Sequence, residues 1–147
     1  MRLKIVLPVL AALALLGLAA CSAAGSGAEA GSAPAASATG REWRLVELGG
    51  RPAAMGAGGR PATLRLEAGR ASGFAGCNTF SSGYLMSANN LAMTSLASTR
   101  MACAEGMELE RAYLAALDET LSYRVTTQGL ELLSGDRRVL ARFTAAP

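Results

Sequence analysis

The sequence predicts an α+β domain: short antiparallel strands in a small β roll or partly closed barrel, with one α-helix packed on it. Three observations carry this. Several short segments alternate apolar and polar residues at period two, and Gly-, Asn- and Asp-containing turns separate them. Only one stretch, residues 106–121, repeats its apolar residues at helical spacing. All seven aromatics, Trp43, Phe74, Phe80, Tyr84, Tyr113, Tyr123 and Phe143, fall in residues 41–147, enough for one small core and too few for two.

Residues 1–20 read as an export signal. A basic start (Arg2, Lys4) precedes an apolar run of about 14 residues, short of the roughly 20 that a spanning helix needs. The end, Leu18-Ala19-Ala20-Cys21, resembles the bacterial lipobox. That resemblance implies cleavage before Cys21, diacylglyceryl attachment to its sulfur, and acylation (palmitate or a similar chain) of the new amino group. Two or three acyl chains anchor stably where one does not. An ordinary signal peptide with Cys21 incidental is the plainer alternative. Ser22, rather than Asp, follows the Cys; in a Gram-negative cell this resembles sorting to the periplasmic face of the outer membrane. Residues 21–40 are then the lipidated Cys and an Ala/Gly/Ser tether, too poor in apolar bulk to fold, spanning roughly 25 Å as a coil.

The domain, residues 41–147, begins with a strand at 42–48, placing Trp43, Leu45 and Glu47 on one face. Residues 49–61 are a Gly/Pro loop whose Gly56-Ala57-Gly58-Gly59 resembles a nucleotide loop only superficially, since no strand–loop–helix unit surrounds it. Residues 62–68 alternate with Leu64 and Leu66 inward, and a turn returns the chain as a strand at 71–75. Residues 76–80 are expected to leave the sheet. Short strands are expected at 83–86 and 90–93 around an Asn89–Asn90 turn, and another at 95–98. The helix at 106–121 carries Tyr113, Leu114, Leu117 and Leu121 as its apolar stripe and Glu105, Glu108 and Glu110 near its start, where negative charge suits the helix dipole. Strands at 122–126, 130–133 and 139–143 complete the domain, joined by turn-forming residues.

Composition excludes several classes of function. The net charge of +3 falls to +1 without Arg2 and Lys4, and the longest basic run is Arg137–Arg138, so a nucleic-acid partner is not expected. The chain has no His, which removes Ser–His–Asp and Cys–His catalysis and every His-containing zinc site. No Lys follows Lys4, which removes Schiff-base and P-loop chemistry from the mature part. Glu108 and Glu110 face different ways on the helix and Asp118–Glu119 lie on its polar side, so no glycosidase carboxylate pair is set up. No catalytic residue, cofactor or metal site is expected.

Several motifs together are similar to a known family. They are Trp43-Arg44-Leu45, Gly76-Cys77-Asn78-Thr79-Phe80, the Thr99-Arg100-Met101-Ala102-Cys103 run, Glu110 and Leu117 on the helix, and the terminal Gly129-Leu130-Glu131-Leu132. In this order and spacing they resemble the META domain, or HslJ-like, family over about residues 43–143. One departure is the long Gly-rich loop after the first strand; another is Ser82 before Gly83-Tyr84. The resemblance implies a small antiparallel α+β domain. It further implies an envelope protein, often a lipoprotein, without established enzymatic activity. HslJ itself is linked to heat stress and to novobiocin resistance. The fold is similar to that of lipoproteins that pilot secretin subunits and hold acyl chains in a crevice.

Cys77 and Cys103 are the thiols left after lipidation of Cys21. In an exported domain two Cys are more often a disulfide than a site, here closing a loop of about 27 residues for about 3.5 kcal/mol. Redox exchange usually uses Cys-x-x-Cys, which is missing, and two thiols without His make a poor metal site. Gly76 and Asn78 read as turn formers, with a ligand role for Asn78 as the alternative. Thr99 precedes Arg100, which is expected to neutralise Glu105 or Glu110, or else to face a ligand headgroup. The expected function is thus a non-enzymatic, lipid-anchored envelope protein acting in stress tolerance through a protein partner or hydrophobic ligand. The alternative is a lipid- or small-molecule-binding module, with a crevice between helix and sheet lined by Leu, Met and aromatics.

Overall fold

The alternating segments form strands in the computed structural model, which describes residues 37–147. The export signal, Cys21 and residues 22–36 of the tether lie outside the described residues. In chain order the elements are β1 (Glu42–Leu48), β2 (Arg51–Pro52), β3 (Thr63–Glu67), β4 (Arg70–Phe74), β5 (Thr79–Ser87), β6 (Asn90–Ser98), α1 (Met107–Glu119), β7 (Ser122–Thr126), β8 (Gly129–Leu133) and β9 (Val139–Ala145).

All pairings are antiparallel. The order runs β1-β3-β4-β5-β6-β7-β8-β9, and β9 returns to β1, so the sheet closes on itself; β2 adds onto the end of β1. The ring is uneven. β5 and β6 share a ladder from Phe80↔Ser98 to Ser87↔Asn90, whereas β6 and β7 meet through the single pair Asn90↔Ser122. This is the small antiparallel α+β roll with one helix that the sequence predicts.

Alternation decides which side chains fill the ring. Trp43, Leu45, Leu64, Leu66, Leu130, Leu132 and Phe143 point inward from their strands and are buried. The helix supplies the rest through Leu109, Tyr113, Ala116 and Leu117, spaced to share one face. Tyr113 stands edge-on to Phe80, with ring centroids 5.8 Å apart, and lies 6.1 Å from Phe143. Its hydroxyl donates to the Thr63 carbonyl at 3.1 Å, so this buried ring keeps its polar end satisfied. Burial pushes its phenol well above the ordinary value of 10.0.

Five local expectations change. Residues 38–40, read with the tether, belong to the domain: Ala38 is buried, its carbonyl accepts from the Trp43 indole at 2.8 Å, and the Gly40 N–H donates to Leu66 at 3.0 Å. Thr79 and Phe80 do not leave the sheet but begin β5. The short strands expected at 83–98 are one long hairpin turning at Ala88–Asn89, with Ala88 at φ 51. The helix stops at Glu119, because Thr120 is already extended; Leu121 therefore falls off the apolar stripe and is 54% exposed. The loop at 49–61 holds β2 and a 3-10 turn at Ala57–Gly59.

Candidate functional site

The polar residues singled out by the sequence meet at the corner between β4 and β5. Gly76, at φ 132, turns the chain, and the Ala75 N–H closes the turn on the Asn78 carbonyl at 2.8 Å. Cys77 is bonded to Cys103, tying this corner to the segment that enters α1. Asn78 is buried, and its amide uses every hydrogen-bonding position it has. Its Oδ1 accepts from the Met101 N–H at 2.7 Å and the Thr99 hydroxyl at 2.9 Å. Its Nδ2 donates to the Met101 carbonyl at 3.1 Å and to Glu110 Oε1 at 3.0 Å. Asn78 is thus more than a turn former: it clamps residues 99–101 to the corner.

Glu110 completes the brace. It lies in the first turn of α1 yet points inward, and only 7% of it is exposed. Its Oε2 accepts from the backbone N–H groups of Cys77, at 3.2 Å, and Asn78. Three N–H donors and the positive end of the helix dipole offset the cost of burying this carboxylate. Arg100 does not take that part. It is exposed, and among the described residues it makes no ion pair with Glu105 or Glu110, because the Glu110 oxygens are already occupied from the corner.

Three glycines let the Gly-rich loop and the helix start reach the same corner. The Ala57 N–H donates to the Gly76 carbonyl. A Cβ on Gly56 would lie 2.3 Å from the Gly76 oxygen, and one on Gly106 only 2.1 Å from it. Real Cβ atoms essentially never come so close, so the contact requires glycine at both places. The family model for the META domain matches residues 36–147. The chain belongs to the META domain family.

Its match takes in the brace, the ring and the residues from 37 onward. Two solved structures are similar to this META domain. One is an NMR structure of a protein from Burkholderia xenovorans, 30% identical, covering 74% of this chain and 83% of its own, with a TM-score of 0.56. The other, also solved by NMR, is 25% identical, covers 69% of this chain and 87% of its own, and has a TM-score of 0.54. No curated protein matches the chain.

The META domain also carries features that its motifs do not announce. Across the outer face of four neighbouring strands runs a row of alternating charge: Glu47, Arg142, Glu131 and Arg124, each opposite the next in register. Arg142 Nε lies 3.0 Å from Glu131 Oε1, and Arg124 Nε 2.7 Å from Glu131 Oε2. Burial pushes the Glu131 carboxyl up, but its bonds to Arg142 and Arg124 outweigh this and hold it below the ordinary 4.5. Beside this row is a largely apolar hollow of about 470 Å³, lined by Val46, Thr126, Gln128 and Thr144 among others. Val46 faces outward because it is the extra residue where the β1–β9 register shifts between Leu45 and Glu47, and the same shift puts Glu47 in the outer row instead of on the face of Trp43 and Leu45 where the sequence predicts it. The Glu110 role had one signal in the sequence: it stands at i−3 to Tyr113 and i−7 to Leu117, on the apolar stripe itself.

Proposed function

We propose that this META-domain protein is a non-catalytic envelope lipoprotein. It is anchored through Cys21, held off the bilayer by its tether, and contributes to envelope stress tolerance by binding a protein partner. One observation supports the reading above the others. The polar motif residues are spent on one another: Asn78, Glu110, Thr99 and the Cys77–Cys103 bond form a closed brace, and among the described residues no buried side-chain polar atom lacks a hydrogen-bond partner. Such a motif stiffens a surface for recognition rather than supplying a reacting group. Replacing Cys21 by Ser tests the anchor: the variant is expected in the soluble fraction, and unchanged membrane retention would sink the lipidation claim. Crosslinking in intact cells, followed by identification of the captured protein, tests the partner.

A second reading, in which the ligand is hydrophobic, is favoured by the hollow beside Val46. The space inside the ring is occupied by Trp43, Tyr113 and Phe143, each fully buried, so an acyl chain would lie on the outer hollow instead of between helix and sheet. Native mass spectrometry tests this. Retained fatty acid that is lost on Val46→Asp supports it, and the absence of both retained lipid and any melting shift with added fatty acid counts against it.

A further inference from the structure

The long ladder of β6 ends abruptly. Beyond Asn90↔Ser122 the strand has no partner on the β7 side: among the described residues, the backbone of residues 92–98 bonds only toward β5, and that of residues 124–126 only toward β8. Two strand edges therefore flank one gap in the ladder, and α1 packs against β6 beside it. Proteins usually guard such edges with Lys, Pro or other charged residues. Here nothing between Arg70 and Arg100 is charged, and the sequence of β6, NLAMTSLAS, contains no Pro. Its one interruption is Ser95, at φ 55 where the β5–β6 register breaks. The flanking side chains are half-buried and apolar: Met93 and Leu96 on β6, Tyr123 and Val125 on β7, and Leu114 on the helix. Where the two strands join lies a hollow of about 580 Å³, reached by Asn89, Asn90, Leu121, Tyr123, Arg124 and Arg137. Two arginines and no acidic residue line it, and among the described residues Arg137 makes no ion pair.

We propose that the β6 edge accepts an added strand, supplied by an extended, uncharged segment of a partner protein that carries a carboxylate at the end reaching the joint. Main-chain hydrogen bonds to residues 92–98 provide the attachment. An uncharged segment matches an uncharged edge, and the carboxylate matches Arg137 in the hollow, Arg124 being paired with Glu131. Because the edge of β7 bounds the same gap, a single extended chain suits it better than the sheet of a second copy. The inference rests on the reading of the domain as a binding module and not on the lipid anchor.

The test uses the full chain and a synthetic peptide of alternating valine and threonine with a free C-terminal carboxylate, followed by amide hydrogen exchange. Exchange at residues 92–98 is expected to slow when the peptide is added. Ala97→Lys, at an exposed position on the edge, is expected to weaken binding about tenfold or more, which is about 1.4 kcal/mol. Thr94→Lys, also exposed, serves if the first variant does not fold. Arg137→Gln is expected to weaken the free-acid peptide and to leave its C-terminal amide unchanged. No slowing at residues 92–98 overturns the proposal, as does equal binding by the Lys variants. Peptide-free dimers that Ala97→Lys dissolves would give the edge to a second copy and overturn it too. Fractionation of Cys21→Ser is blind to the edge, so the anchor and the strand site fail separately.

Discussion

Replacing Asn78 should show how much of the domain's stability passes through the corner. Asn78→Ala deletes four side-chain hydrogen bonds, but their loss is unequal. Thr99 and Met101 are exposed, so water takes over their groups at little net cost. Glu110 is buried, and its Oε1 loses the donor that stood 3.0 Å away, for about 1–3 kcal/mol. With the space left by the missing amide, the total is about 3 kcal/mol, against a whole-domain stability of about 5–15 kcal/mol. Asn78→Asp is nearly the same shape yet should be worse. It sets a second carboxylate oxygen where Nδ2 stood, and two carboxylates at that distance do not both ionise readily. We expect it to lose at least about 1 kcal/mol more than Asn78→Ala at neutral pH. The sign with pH follows. The new carboxyl has a folded pKa raised above its unfolded value of about 3.9, so its penalty is full at high pH and shrinks as pH falls through the folded value, when the proton restores a donor. Urea unfolding read through Trp43, the single and fully buried tryptophan, measures all three proteins with the disulfide intact. A loss under about 1 kcal/mol for Asn78→Ala, or equal stability of the two variants from neutral pH to about pH 4, would refute the reasoning.

Three further outcomes are expected. Reducing the Cys77–Cys103 bond, which spans 26 positions, should lower stability by about 3.5 kcal/mol; a melting temperature unmoved by reductant, with two thiols then titratable, contradicts this. Gly106→Ala should cost well over the roughly 1 kcal/mol of left-handed strain, since its Cβ meets the Gly76 carbonyl; Gly59→Ala, also left-handed but in open space, should cost only that strain, and equal losses in a denaturant series would deny the junction. Glu131→Gln should cost up to about 1 kcal/mol at neutral pH, because Arg124 and Arg142 are largely exposed. The Glu131 carboxyl titrates below its ordinary 4.5, so this contribution is present above that value and is lost as pH falls through the folded value; a gap between variant and parent that widens in acid would be the wrong sign.

How legible each part was depends on how local its cause is. β7 matches its expected bounds because polar and apolar residues alternate there without a break, and β1 matches its own although Val46 interrupts the alternation. The β5–β6 hairpin is harder to read, since its stretch has no charges to contrast with its apolar residues and both strands slip register near Ser81 and Ser95. An alanine, Ala88, takes the left-handed place where an Asn would be expected to mark the turn. The disulfide partners and the importance of Asn78 are visible in the motifs. What Asn78 and Glu110 hold is not, because their partners lie 21 to 33 positions away along the chain. Gly56 and Gly106 read as loop and cap; only the folded chain shows that both press on one carbonyl.

The position of β1 bears on how the domain carries load. A pull along residues 38–41 enters the fold beside the Trp43 indole and passes directly into β1. That strand is flanked on both sides, by β3 through Glu42↔Arg65 to Arg44↔Thr63 and by β9 through Trp43↔Ala145 to Leu48↔Ala141. Tension along its axis must shear both ladders at once, since no free end is offered from which the bonds could be peeled one by one. The weakly joined β6–β7 seam lies elsewhere in the ring, off that line of force. The weakest seam of the ring and the strand that takes a pull from residues 38–41 are thus separate parts of the domain.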